Sequence, residues 1–124
     1  MNYLMTGCVD ESSINSKKGI VMRFLITFSF PTETGNIKLA DPEFGAKFST
    51  LLKEIGAEAV YLCPVDGKRG GYVIVSFNDS SMIASIAEKF WNWLNAEVKF
   101  TPVMIPEDLA KAMSEIKSTI SKFG

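Results

Sequence analysis

Over residues 22–30 the large apolar side chains Met22, Phe24, Ile26, Phe28 and Phe30 alternate with Arg23, Leu25, Thr27 and Ser29. A period of two that is rich in aromatic and β-branched residues predicts a strand. Residues 31–39 read as a loop. Asp41-Pro42-Glu43 then supplies a helix start, with aspartate as N-cap, proline at the first helical position and a carboxylate near the positive end of the helix dipole. Phe44, Phe48, Leu51, Leu52 and Ile55 recur at three- and four-residue steps, so the first helix is predicted over 42–55, and Gly56 can take the left-handed conformation that ends it.

Residues 58–63 and 71–77 read as two short strands of a hairpin, joined by the turn-rich stretch 64–70. Asp79, Ser80 and Ser81 offer N-caps for a second helix with apolar positions Met82, Ile83, Ile86, Phe90, Trp91 and Leu94. Trp91 belongs to that stripe, and Trp93 points elsewhere, towards a dimer or ligand contact or under the last helix. Residues 96–104 alternate again, and Pro102, which cannot donate to a ladder, places this fourth strand at a sheet edge or at its own end. Pro106-Glu107-Asp108 opens a last helix with Leu109, Ala112, Met113, Ile116 and Ile120 on one face and Lys117 and Lys122 near its negative end.

The order β-α-β-β-α-β-α is that of the split βαβ, ferredoxin-like arrangement with an added C-terminal helix: an α+β domain whose antiparallel sheet runs 4-1-3-2 with both crossover helices on one face. Helices covering Phe24, Ile26, Phe28, Val60, Leu62, Val73, Val75, Phe77, Val98 and Phe100 leave a second face. It carries Arg23, Leu25, Thr27 and Ser29 from strand one, Tyr61 and Cys63 from strand two, Tyr72, Ile74 and Ser76 from strand three, and Glu97, Lys99, Thr101 and Val103 from strand four. In a monomer, Leu25, Ile74, Val103 and two tyrosines would be an exposed patch. A second copy of the sheet packed face to face would enclose them.

Length and composition narrow the class. The 124 residues make one domain, and 47% hydrophobic with 22% charged residues is the balance of a globular chain. Residues 1–19 form a polar leader without helical or strand period, mobile or an over-long start assignment, ahead of a single domain over 20–124. A formal charge of −1 argues against nucleic acid and anionic lipid, and the apolar stretch around residue 25 is too short to span a bilayer. The chain has no histidine, which excludes histidine-based triads, His-ligated metals and histidine-held haem. Two cysteines without paired spacing point to a reducing, cytoplasmic setting, and the stretch before Cys8 is too short for a lipoprotein signal. No cofactor and no metal site is expected.

The runs MRFLITFSFPTETGN, GGYVIVSFNDSSMIASIAEKFW and NAEVKFTPVMIPEDLAKA together resemble a family of short, mainly bacterial proteins of unknown function with a dimeric α/β-barrel, ferredoxin-like fold. The resemblance covers residues 22–123 and implies a homodimer closed through the sheet face. The wider group includes cofactor-independent monooxygenases, isomerases, haem-degrading enzymes and dye-decolourising peroxidases; the haem-handling members lean on a histidine that this chain lacks. No catalytic residue transfers.

The candidate ligand-binding residues are therefore those of the open face: Arg23, Thr27, Tyr61, Tyr72, Ser76, Glu97 and Lys99. A tyrosine or the glutamate would serve as proton donor or acceptor, and Arg23 or Lys99 would hold an anionic group. The bland reading is that they are ordinary interface side chains, since a fold does not fix a function. In the predicted register Glu97 lies near Ser29 and Arg23 near Val103, so these two charges do not pair. Cys63 has no evident activating neighbour and reads as inert, and Lys68-Arg69-Gly70-Gly71 reads as a solvated hairpin tip, lacking the helix of a phosphate loop. The expected function is a homodimer that binds a small, partly apolar molecule. The alternatives are a cofactor-independent monooxygenase- or isomerase-like enzyme, and an assembly domain with no ligand site.

Overall fold

A computed structural model describes residues 21–124, so the polar leader and the region around Cys8 lie outside the described residues. Eight elements follow in order: β1 (Met22–Ser29), α1 (Thr32–Leu39), α2 (Phe44–Glu54), β2 (Ala59–Val65), β3 (Lys68–Phe77), α3 (Ser81–Leu94), β4 (Glu97–Val103) and α4 (Pro106–Phe123). The strands form one antiparallel sheet in the order β2-β3-β1-β4, the βαββαβ arrangement expected from the sequence, with a C-terminal helix added. Pro102 sits in the edge strand β4, where a missing donor costs no ladder bond to a further strand.

One face of the sheet carries the core. Phe24, Ile26 and Phe28 of β1 and Val73, Val75 and Phe77 of β3 cluster with Leu51 of α2, Ile55 just after that helix, and Ile86, Phe90 and Leu94 of α3. The aromatic rings interlock within it: Phe28 and Phe90 have centroids 4.9 Å apart, and Phe24 stacks on Phe77 at 4.4 Å.

Six sequence expectations change. Residues 32–39 are a helix rather than a loop. It shows no apolar stripe, and Ile37 is 73% exposed, so periodicity had nothing to detect. Tertiary contacts hold α1 instead: Arg69 of β3 donates to the Thr32 carbonyl at 3.3 Å and to Asn36 Oδ1 at 3.1 Å, so this residue is a strap between hairpin and helix rather than part of a solvated tip. The start of α2 falls at Phe44, two residues late, because Asp41 closes a separate turn first, accepting the Glu43 N–H on Oδ1 at 2.9 Å and the Phe44 N–H on its carbonyl at 3.0 Å. Its end is as expected, with Gly56 at φ +70°.

The hairpin is longer than its composition suggests. Asp66 (φ 52°) and Gly67 (φ 79°) form a two-residue turn with both residues left-handed, which matches strand twist and lets pairing run to Val65 and Lys68. Pro64 is tolerated because β2 is an edge strand. Leu62, expected in the core, is 65% exposed, because it lies on the edge strand β2 at the border of an open groove. Finally, the roles of the two tryptophans are reversed. Trp93 packs on the core, its ring 5.0 Å from Phe44 and 6.2 Å from Phe48, while Trp91 is 47% exposed. Position 93 is three residues beyond the fully buried Phe90 and shares its face, whereas position 91 is turned about 100° away.

Candidate functional site

The register sorts the uncovered face into rows that cross the sheet. One row is Tyr61–Tyr72–Thr27–Lys99, one residue from each of β2, β3, β1 and β4. Strands about 4.8 Å apart make this polar line about 14 Å wide. Beside it runs Ala59–Ile74–Leu25–Thr101, largely apolar, and on its other side Cys63–Gly70–Ser29–Glu97. At the far end Ser76, Arg23 and Val103 share the last row.

All seven predicted residues thus lie on one face, but at different places. Tyr61, Tyr72, Thr27 and Lys99 are brought into a single line, and Glu97 is two residues from Lys99 on the same side of β4. Arg23 and Ser76 stand apart. Arg23 pairs with Val103 and Glu97 with Ser29, as the sequence predicted, so six residues of β1 separate them, about 20 Å. Arg23 is drawn towards Glu58, with Nε 3.6 Å from Oε1. Tyr61 is 66% exposed at the sheet edge, Tyr72, Thr27, Leu25 and Ile74 are half-buried, and Lys99 is exposed.

Chemically, the face offers three hydroxyls and an ammonium in line, next to a strip of apolar side chains. Among the described residues, no hydrogen bond or ion pair joins Tyr61, Tyr72, Thr27, Glu97 or Lys99 to another side chain, so one protomer by itself assembles no acid–base pair there. No cluster of metal-ligating side chains occurs among the described residues, and no helix among them is long and apolar enough to cross a membrane.

A second concavity, not foreseen from the sequence, lies on the helix-covered side. It is a groove of about 600 Å³ between the β2–β3 hairpin and helices α1 and α2, bordered by Phe28, Phe30, Phe44, Phe48, Leu39, Leu62 and Lys68. No sequence signal marks it, because one of its walls is α1, which has no apolar stripe for periodicity to detect. The row beside it on this side of the sheet is Leu62–Gly71–Phe28–Val98, in which a Cβ at Gly71 would collide with the Tyr61 carbonyl oxygen, so glycine there serves the close approach of β3 to β2. Cys63 is half-buried beside the same groove.

The fold and its two surfaces define a small α+β protein of the βαββαβ class with one sheet face clad in helices. No protein-family model matches the chain, and no curated protein matches it.

Proposed function

We propose that the chain acts as a homodimeric α/β barrel in which two copies pack open face to open face and bind a small, partly apolar ligand between their sheets. The observation that carries this reading is the Tyr61–Tyr72–Thr27–Lys99 line beside the apolar pair Leu25 and Ile74, on the face opposite the core. An apolar strip of this kind is costly to leave in water, and a lining that is half polar suits a ligand with both characters. A formal charge of −1 leaves little repulsion between copies. Helix α4 adds a second apolar surface, since none of its residues is buried although Leu109, Met113 and Ile120 recur along it.

In this reading the tyrosine and threonine hydroxyls orient the polar end of the ligand, and Lys99 supplies the positive charge. Arg23 is occupied by Glu58 at the other end of the strand. The proposed setting is the cytoplasm. A thermal-shift screen of small aromatic acids and quinones against the dimer tests it: a stabilising hit that Tyr72→Ala and Lys99→Ala both remove supports the site. If every hit survives both substitutions, the ligand does not bind between the sheets.

A further inference from the structure

We infer that helix α4 extends the dimer interface: in the face-to-face dimer proposed above, on which this inference rests, it pairs antiparallel with α4 of the second copy. The helix is well formed yet unpartnered. Pro106 opens it, Asp108 Oδ2 accepts the Ile105 N–H at 3.0 Å, and it runs for 18 residues with none of them buried. Leu109, Met113, Ile116 and Ile120 nonetheless form one apolar stripe along it, and all but Ile116 are exposed.

Continuity, area and charge together name a second copy as the occupant. Val103 ends β4 on the open face, and the exposed Met104 and Ile105 carry an apolar track from there into α4, so a partner on the open face meets the helix next. One stripe per copy falls short of the about 1,200 Å² that a stable interface buries, so α4 adds to a larger contact rather than making one alone. Glu107, Asp108 and Glu115 balance Lys111, Lys117 and Lys122 along the helix, which does not suit an anionic lipid surface. The order of these charges sets the orientation. The carboxylates of Glu107 and Asp108 stand in the first turn and Lys122 in the last. Asp108 and Lys122 are two heptads apart on the same flank of the stripe, and in an antiparallel two-fold pair each flank faces its own counterpart, so Asp108 meets the partner's Lys122 at both ends. The stripes match in that register, with Leu109 opposite the partner's Ile120 and Met113 opposite the partner's Ile116. Glu115, midway on the flank, meets the partner's Glu115 near the two-fold axis, at a small cost to pairing.

Dimer dissociation constants of the full-length chain, measured by sedimentation at low and high salt, test this pairing. Ile120→Asp puts a charge into the stripe and should weaken the dimer about ten-fold or more, and because Ile120 is exposed in the protomer the fold itself is spared. Ile120→Ala, which keeps helix propensity, should weaken it by a smaller factor. Lys122→Glu sets a carboxylate against the partner's Asp108 and should weaken the dimer about three-fold at low salt and little at high salt, while Glu115→Gln should tighten it at low salt. The inference is overturned if Ile120→Asp leaves the dissociation constant unchanged, or if Lys122→Glu has no effect at low salt, as in a parallel pair where Lys122 meets its own counterpart. Binding of the wild type to phosphatidylserine vesicles that Ile120→Asp abolishes would overturn it too, by giving α4 a lipid surface. Failure of the open-face reading looks different: the wild type is then a monomer, or Ile74→Lys leaves the dimer intact, and the α4 pairing falls with it.

Discussion

The two faces of this sheet are made from the same strands, residue by residue in alternation, yet they have opposite fates. On the covered side Ile26, Val73 and Phe28 are almost wholly excluded from water, and rings from β1, β3, α2 and α3 interlock. On the other side Leu25, Ile74 and Tyr72, the immediate chain neighbours of those residues, are only half-buried. A period of two assigns every side chain to a face, but what covers a face depends on the rest of the chain. Here α2 and α3 both pack on one side, and the apolar content of the other is what remains for a partner or ligand.

The sharpest way to break this comparison is to truncate one large side chain on the core side. Phe90→Ala removes a fully buried ring from between Phe28 and the helices and should cost about 3–5 kcal/mol in denaturant unfolding. Ile74→Ser, on the open face, should cost the isolated protomer about 1 kcal/mol or less and act on association instead. Equal losses in the two variants would mean that the open face is covered within one chain.

The tryptophans give a second, smaller contrast. Trp93→Ala loses the stack on Phe44 and should destabilise by about 2–3 kcal/mol, whereas Trp91→Ala should stay within about 0.5 kcal/mol. Smaller again is Arg69→Ala. Two hydrogen bonds to α1 disappear, and since each is worth about 1 kcal/mol at most when exposed, the effect belongs mainly to α1, whose amide hydrogens should exchange faster while those of β1 and β3 do not.

The smallest effect is a pH dependence confined to the turn before α2. The Lys47 ammonium, bonded at 2.8 Å, and the Glu43 N–H hold the Asp41 carboxyl below the usual aspartate range. A carboxyl with a lowered pKa in the folded state adds stability above its unfolded pKa and loses it as pH falls through the folded value. The loss therefore belongs below about pH 4, and Asp41→Asn should flatten that part of the acid-unfolding profile. Because the pair is solvent-exposed, the difference between the two profiles should be slight.

Much of this was legible in the chain. The alternation at Phe24, Ile26 and Phe28 gave both the strand and its buried side, Pro102 placed β4 at the edge, and the register between β1 and β4 followed from the topology. Helix α1 was not legible, because its eight residues have no apolar face and owe their place to Arg69, far away in sequence. The hairpin was misjudged for the opposite reason: a stretch dense in turn-forming residues contains only one tight turn, at Asp66-Gly67, with the flanking Pro64 and Lys68 already paired. The seven site residues could be assigned to one face by alternation alone, but not sorted along it. That required the strand register, which puts Lys99 in line with the tyrosines and sends Arg23 to Glu58. The groove under the hairpin depends on α1 and so was hidden with it.

Sedimentation equilibrium at micromolar concentration, with wild type beside Ile74→Lys, tests the pairing of open faces most directly. The account predicts twice the 13.7 kDa chain mass for the wild type and the mass of a single chain for the variant, which remains folded because Ile74 lies outside the core. A wild-type protein that sediments as a monomer, or a dimer that the buried lysine leaves intact, would contradict it.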